Sequence, residues 1–309
     1  MIGALLVALT PTALLIGLGH VLRWRTTLLP EGFWTPAERL AYFVLLPALI
    51  VHSLAMADFS GVPVGAMVVA LAVPLLVVGA GLVVSRRAVE LPGPAFTSVF
   101  QGAIRFNTYV GVTAAIALYG SEGAALAAIA IATIVPTVNV LCVLVFAHYA
   151  STGAGLRTAM RSIVTNPLII ACAVGIALHV AGLPLPPGIE GFVKSLGQSA
   201  LPLGLLCVGA ALDRRTLGAS PRAALIASGA KFAAMPTLTA MACLALGLTG
   251  VPALIAVLFN ALPTASSSYV MARQLGGDAP LMASLVATQT VAAAVTLPVA
   301  MILAEAIFT

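Results

Sequence analysis

Residues 2–22 of this sequence contain no Asp, Glu, Lys or Arg, and neither do residues 62–84. Runs of this length constrain the fold more than any motif does. An α-helix rises about 1.5 Å per residue, so roughly 20 apolar residues cross the hydrocarbon core of a bilayer. Only 7% of the 309 residues are charged and 61% are hydrophobic, whereas a soluble domain is about 25% charged. No water-soluble fold of this size can hide so much apolar surface. The chain reads as an all-α integral membrane protein, one membrane domain over 1–309. With short connections its length accommodates about ten transmembrane helices.

The spans read as 2–22, 38–57, 62–84, 94–119, a fifth ending near 149, then 166–182, 190–212, 222–249, 251–275 and a tenth over the remainder. Connections after odd-numbered spans carry Arg23, Arg25, Arg86, Arg87, Arg157, Arg161, Arg214, Arg215, Arg222 and Arg273. Connections after even-numbered spans carry Asp58, Glu122 and Glu190, with only Lys194 nearby, and the loop holding Pro184 breaks any helix there. Basic residues are retained on the cytoplasmic side during insertion, so both termini are expected outside the cytoplasm. The expected location is the plasma (inner) membrane. No basic region precedes the first apolar run, so it reads as a mature span rather than a signal peptide. The net charge of +5 reports topology, and nucleic acid is not expected as a partner. Cys142, Cys172, Cys207 and Cys243 all lie in apolar runs, without metal spacing or a disulfide framework. No cofactor is expected.

Ten spans divide into halves of five, 1–150 and 163–309. An odd number per half inserts the second half upside down, a common plan of secondary transporters. Short internal echoes fall where such a repeat requires them. Leu46-Pro47-Ala48-Leu49 in span two matches Leu201-Pro202-Leu203-Gly204 in span seven. Phe106-Asn107-Thr108-Tyr109 in span four matches Phe259-Asn260-Ala261-Leu262-Pro263 in span nine.

Spans four and nine also carry the polar interruptions. Pro263 should break span nine, because it lacks an N–H and clashes with the preceding turn. Asn260, Thr264, Ser266, Ser267 and Ser268 lie beside it. In span four, Gln101, Arg105, Asn107, Thr108 and Tyr109 interrupt an apolar run flanked by Gly102 and Gly111. An ionisable residue within a membrane is costly and calls for a cavity or partner. If both helices unwind, half-helix N-termini direct positive ends at an anion and Arg105 adds a bidentate contact to a carboxylate. The plainer reading is a proline kink with serines bonding their own backbone, and an Arg105 that snorkels.

Other polar residues read first as structural. Lys231 is a snorkelling or cavity-facing lysine and Lys194 an interfacial anchor. His52 and His179 are hydrogen-bonded structural residues. Asn139 and Gln289 face the transport path or bond between helices. Gln198, Ser199 and Pro202 are further candidates for substrate contact. An enzyme is disfavoured: there is no His-Glu-x-x-His pair, no Walker A pattern, and the aspartates sit at span ends. A channel is the stronger rival, although inverted halves in a single chain favour alternating access.

The chain resembles the auxin efflux carrier family, which includes plant PIN carriers and many bacterial carriers. The resemblance covers nearly the whole chain. It is carried by Gly19-His20-Val21-Leu22-Arg23, by the segment from Glu38 through Leu46-Pro47-Ala48-Leu49, by Arg105-Phe106-Asn107-Thr108-Tyr109-Val110-Gly111, and by the stretch from Pro263 to Asp278. It implies two inverted five-helix repeats, broken and crossing helices four and nine, and a transport domain that moves against a scaffold. It also implies a homodimer through scaffold helices. Plant members have a proline at both crossovers, whereas span four here has none between Pro94 and Tyr119. The function expected is secondary transport of a small organic anion, a carboxylate, within the lipid bilayer by an elevator-type movement. Its binding residues would be Arg105, Asn107, Thr108, Tyr109, Asn260, Pro263, Thr264, Ser266 and Ser267. Coupling to Na+ or H+, direction, and the choice between an aromatic carboxylate and dicarboxylates such as malate or malonate stay open. A sodium-coupled symporter of an organic acid is the alternative.

Overall fold

The computed structural model describes residues 2–56, 62–150, 161, 164–183, 185–212 and 220–309. The expectations for Asp58, Arg157, Pro184, Asp213, Arg214 and Arg215 lie outside these residues. Among the described residues every regular element is helical. α1 is Ile2–Trp24. α2 (Trp34–Leu40) runs through a π turn, Ala41–Leu45, into α3 (Leu46–Ala55). α4 (Val64–Val84) and the short α5 (Arg86–Val89) precede α6 (Gly93–Ile104) and α7 (Thr108–Tyr149). α8 (Pro167–Val180) and α9 (Pro187–Ala210) follow. α10 (Pro221–Gly229) continues through a second π turn, Ala230–Ala234, into α11 (Met235–Ala245). The chain ends with α12 (Gly250–Ala261), α13 (Ser267–Leu275) and α14 (Ala279–Phe308).

Among the described residues five stretches are long and apolar enough to cross a membrane: Trp34–Ala55, Val64–Val84, Gly93–Tyr149, Pro187–Ala210 and Ala279–Phe308. The third is not straight, because its backbone leaves helical geometry at Gly120, where φ is 58°. Helix starts follow the local chemistry. Prolines open α8, α9 and α10, where a missing N–H is harmless. This puts the start of α9 three residues before the expected Glu190. Asn166 caps α8 by accepting from Leu168 N (2.9 Å) and Ile169 N (3.3 Å). Asp278 caps α14 through Leu281 N at 2.9 Å.

The described chain forms two compact units. The first comprises Met1–Val62, Thr108–Ala132 and Val164–Leu212. Its helices approach through glycine. A Cβ on Gly209 would lie 1.8 Å from the Ile16 carbonyl oxygen, and one on Gly19 would lie 2.1 Å from that of Leu206. α1 and α9 therefore touch backbone to backbone, which is how apolar helices gain packing without a hydrophobic driving force. The second unit comprises Pro63–Asn107, Thr133–Ile163 and Asp213–Thr309. Its core sets alanines of α10 (Ala223, Ala224, Ala227) against Val99 of α6 and Leu281, Met282 and Leu285 of α14. Both helix interruptions lie in this second unit.

Candidate functional site

α6 stops at Ile104 and α7 starts at Thr108, leaving Arg105, Phe106 and Asn107 unwound. Arg105 is extended, with φ −73° and ψ 159°. α12 stops at Ala261 and α13 starts at Ser267. Leu262, just before Pro263, is extended as well, with φ −67° and ψ 147°. That is the conformation a residue before proline prefers.

The two unwound segments meet. Asn107 N–H donates to the Pro263 carbonyl at 2.8 Å. The Phe106 and Phe259 rings lie 5.8 Å apart, centroid to centroid. Gln289 of α14, fully buried, ties both segments together. Its Oε1 accepts from Thr264 N–H at 3.0 Å and its Nε2 donates to the Gly102 carbonyl at 2.9 Å. Backbone groups released by the breaks are thus re-satisfied inside protein, which non-helical backbone at membrane depth requires.

Arg105 projects from the first break toward α13 and the later part of α7. Its Nη1 donates to Asn139 Oδ1 at 3.0 Å and lies 3.4 Å from Met271 Sδ. Its Nη2 donates to Ser267 Oγ at 3.4 Å, and its buried Nε finds no acceptor. Each of these partners is neutral, and among the described residues the guanidinium forms no ion pair. Ser267 opens α13, whose N-terminus has no side-chain cap. The N–H groups of Ser268 and Tyr269 donate to the Ala265 and Ser266 carbonyls at 3.1 and 3.0 Å, so this end contributes the positive end of the helix dipole rather than free donors. A guanidinium beside a helix N-terminus, with no counter-charge among the described residues, has the chemistry to pair with an anion. One turn before Arg105, Gln101 is fully buried and neither polar atom of its amide has a protein partner.

The sequence candidates are placed as follows. Arg105, Asn107, Pro263, Thr264, Ser266 and Ser267 belong to the two breaks. Thr264 Oγ1 lies 3.3 Å from Ser268 Oγ, so one hydroxyl pair is turned inward. Asn260, in the last turn of α12, uses its amide inside the unit: Nδ2 donates to Thr239 Oγ1 at 2.8 Å and to the Leu71 carbonyl at 3.4 Å. Thr108 and Tyr109 open α7 and count with the first unit, where the Tyr109 ring lies against Gly204 of α9.

Two polar residues have places the sequence did not indicate. Lys231 does not snorkel. It is fully buried, in the π turn between α10 and α11, and its Nζ donates to the Ile104 carbonyl at 3.5 Å. Gln289, read only as a path-facing or interhelical amide, is the clamp between the breaks. In both cases an isolated polar residue in an apolar run was the signal, and its partner was invisible. In the first unit, His52, Lys194, Glu122 and Gln198 line a cavity of about 680 Å³. His52 Nε2 lies 3.6 Å from Glu190 Oε1. Among the described residues no three His, Cys, Asp or Glu side chains gather as a metal site.

Among the described residues, the all-helical architecture, the apolar spans and two hydrogen-bonded helix breaks are features found in membrane transporters. Residues 116–301 match the model of a family described as membrane transport protein, the auxin efflux carrier family. The match spans more than half of the chain, which belongs to this family and is a multi-pass membrane protein. A similar protein is an uncharacterized transporter of Methanothermobacter thermautotrophicus, 28% identical over 291 residues, covering 92% of this chain and 93% of the relative.

Proposed function

We propose that this transporter carries a small organic anion, a carboxylate, and binds it at the crossed breaks. The observation that carries the reading is Arg105, a cation in the unwound segment whose protein partners are all neutral. An uncompensated charge at this depth is expensive. A bound carboxylate would supply the missing counter-charge, with the Ser267 hydroxyl as a further donor and the α13 dipole favouring negative charge. Thr264, Ser266, Asn107 and the backbone around Pro263 complete the expected site within the second unit.

The mechanism we favour is elevator-type alternating access, in which the unit holding the crossover carries the anion across the bilayer. In this reading the chain has ten spans in two inverted repeats, 1–150 and 163–309. Both termini lie outside the cytoplasm, and the protein sits in the plasma (inner) membrane as a homodimer without a bound cofactor. Alternating connections with and without arginine support the orientation.

The test is thermal unfolding of the purified protein in detergent against mono- and dicarboxylates, including malonate, malate and indole-3-acetate. A ligand of the native state raises the apparent unfolding temperature by mass action. At least one carboxylate should do so, and R105A should weaken that binding by about 10–100-fold, the worth of one charge-assisted contact. An undiminished response in R105A would remove Arg105 from the site. No response to any carboxylate would remove the anion reading.

A further inference from the structure

Gln101 carries a primary amide that the fold does not use. The residue is fully buried, and neither Oε1 nor Nε2 has a protein partner. A buried polar group without a partner is costly, and the great majority are paired. Its polar neighbours on the same strip of α6 follow that rule. Thr97 Oγ1 donates to the Pro94 carbonyl at 2.7 Å, and Ser98 Oγ donates to the Asp278 carbonyl at 2.8 Å.

Contacts at both ends of this strip fix what the amide faces. At one end the Asp278 N–H donates to the Pro94 carbonyl at 3.1 Å. There a Cβ on Gly277 would lie 3.0 Å from Thr97 Oγ1 and 2.8 Å from the Phe146 ring. At the other end Arg105 reaches Asn139, Ser267 and Met271. α13 and the later part of α7 therefore both run along the strip, from Arg105 to the Gly277 turn. Residues three and four apart share one helix face. Gln101 follows Ser98 by three residues and Thr97 by four, and precedes Arg105 by four. Its side chain thus points between α13 and the later part of α7. It stands one turn behind the guanidinium, whose buried Nε also lacks an acceptor.

These unmet atoms specify a ligand. Arg105 Nε and Gln101 Nε2 are donors, and a carboxylate accepts from such groups. Gln101 Oε1 is an acceptor, and an ionised carboxylate has no hydrogen to give it. Its complement is a neutral group that both donates and accepts. We infer that Gln101 determines specificity: its amide pairs with a hydroxyl or carboxamide that the substrate carries a few bonds from the carboxylate held by Arg105. This rests on the reading of the breaks as the anion site and narrows its substrate to donor-bearing carboxylates. A site with a buried hydrogen-bonding group rejects the analogue that cannot complete the bond.

The experiment is isothermal titration of the full chain in detergent with two matched pairs of carboxylates. Succinamate and 4-oxopentanoate have the same size, and only the first ends in a donor. 3-Hydroxybutyrate and butyrate differ by one hydroxyl. In the wild type the donor-bearing member of at least one pair should bind about 10-fold tighter, the worth of one buried hydrogen bond. Q101M keeps the size and removes the amide, so it should bind both members of that pair equally. R105A should weaken both members together. Without ligand, Q101M should unfold at or above the wild-type temperature, because it removes an unpartnered buried group. Equal binding within both pairs, or a preference that survives in Q101M, overturns the inference and leaves the anion site standing. So does binding of other carboxylates but of neither donor-bearing probe. Q101L removes the amide with a different shape. If both Q101M and Q101L unfold below wild type, or neither folds, the amide serves the fold and the inference falls. If no carboxylate binds, the anion reading falls and this inference with it.

Discussion

The two helix breaks have nearly the same backbone shape and different causes. Leu262 is extended in front of a proline, and Arg105 is extended in front of a phenylalanine, with φ and ψ of −67° and 147° against −73° and 159°. At the second break the covalent chemistry of Pro263 is sufficient reason. At the first, nothing local forbids helix. That break is held from outside: by Gln289 on the Gly102 carbonyl, by Lys231 on the Ile104 carbonyl, and by the bond from Asn107 N–H to Pro263. A helix can thus be interrupted by a residue that cannot continue it, or by partners that reward leaving it. The second device depends on the rest of the fold, so disturbing it should cost more.

The largest effect is expected at Gln289, the partner the breaks share. Q289L keeps the size and removes both hydrogen bonds, leaving the Thr264 N–H and the Gly102 carbonyl unsatisfied in the interior. Each orphaned group costs about 1–3 kcal/mol in protein generally. Coupling energies of hydrogen bonds between membrane helices are smaller, about 0.6 kcal/mol on average and about 1.7 at most, but they do not include the cost of leaving a partner orphaned. A loss of about 2–4 kcal/mol is expected, read as a lower unfolding temperature in detergent, together with weaker carboxylate binding. A Q289L protein as stable as wild type would show that the first break does not depend on the clamp.

The next effect is expected where the breaks touch. N107P deletes the single N–H that reaches the Pro263 carbonyl at 2.8 Å. The expected loss is about 1–3 kcal/mol. A neutral outcome in the same unfolding assay would mean that the contact follows from the crossing and does not help to hold it.

These expectations also mark what the sequence could express. The second break was legible because proline acts on its immediate neighbours. The first was legible only as polar residues in an apolar run, and its three unwound residues could not be located from Gly102 and Gly111 alone. Gln289 holds groups 25 and 187 positions away, and no local pattern reports such a pairing. Lys231 read as a snorkelling or cavity-facing lysine because depth along a helix says nothing about what surrounds it. Tyr109 follows the first break in sequence, yet its ring packs on Gly204, a contact no spacing rule predicts. The helical class and the membrane character were legible because each apolar run depends on about twenty consecutive residues. The site depends on contacts among residues far apart in the chain.

The smallest effect is expected at Pro263 itself, although proline is the most conspicuous residue of the pair. The first break shows that an extended residue at this kind of position can be held without a following proline. P263A would retain the carbonyl that accepts from Asn107 and the Thr264 N–H that donates to Gln289. Alanine adds an N–H and frees the unfolded chain, which costs about 0.4–1 kcal/mol when the native conformation is compatible. P263A should therefore unfold only slightly earlier than wild type and keep its carboxylate response. In the double variant P263A/Q289L the losses should exceed their sum, because proline and clamp each hold the second break when the other is gone. If P263A alone costs as much as Q289L, the two breaks differ in kind: the second then rests on its own covalent chemistry, and only the first on its neighbours.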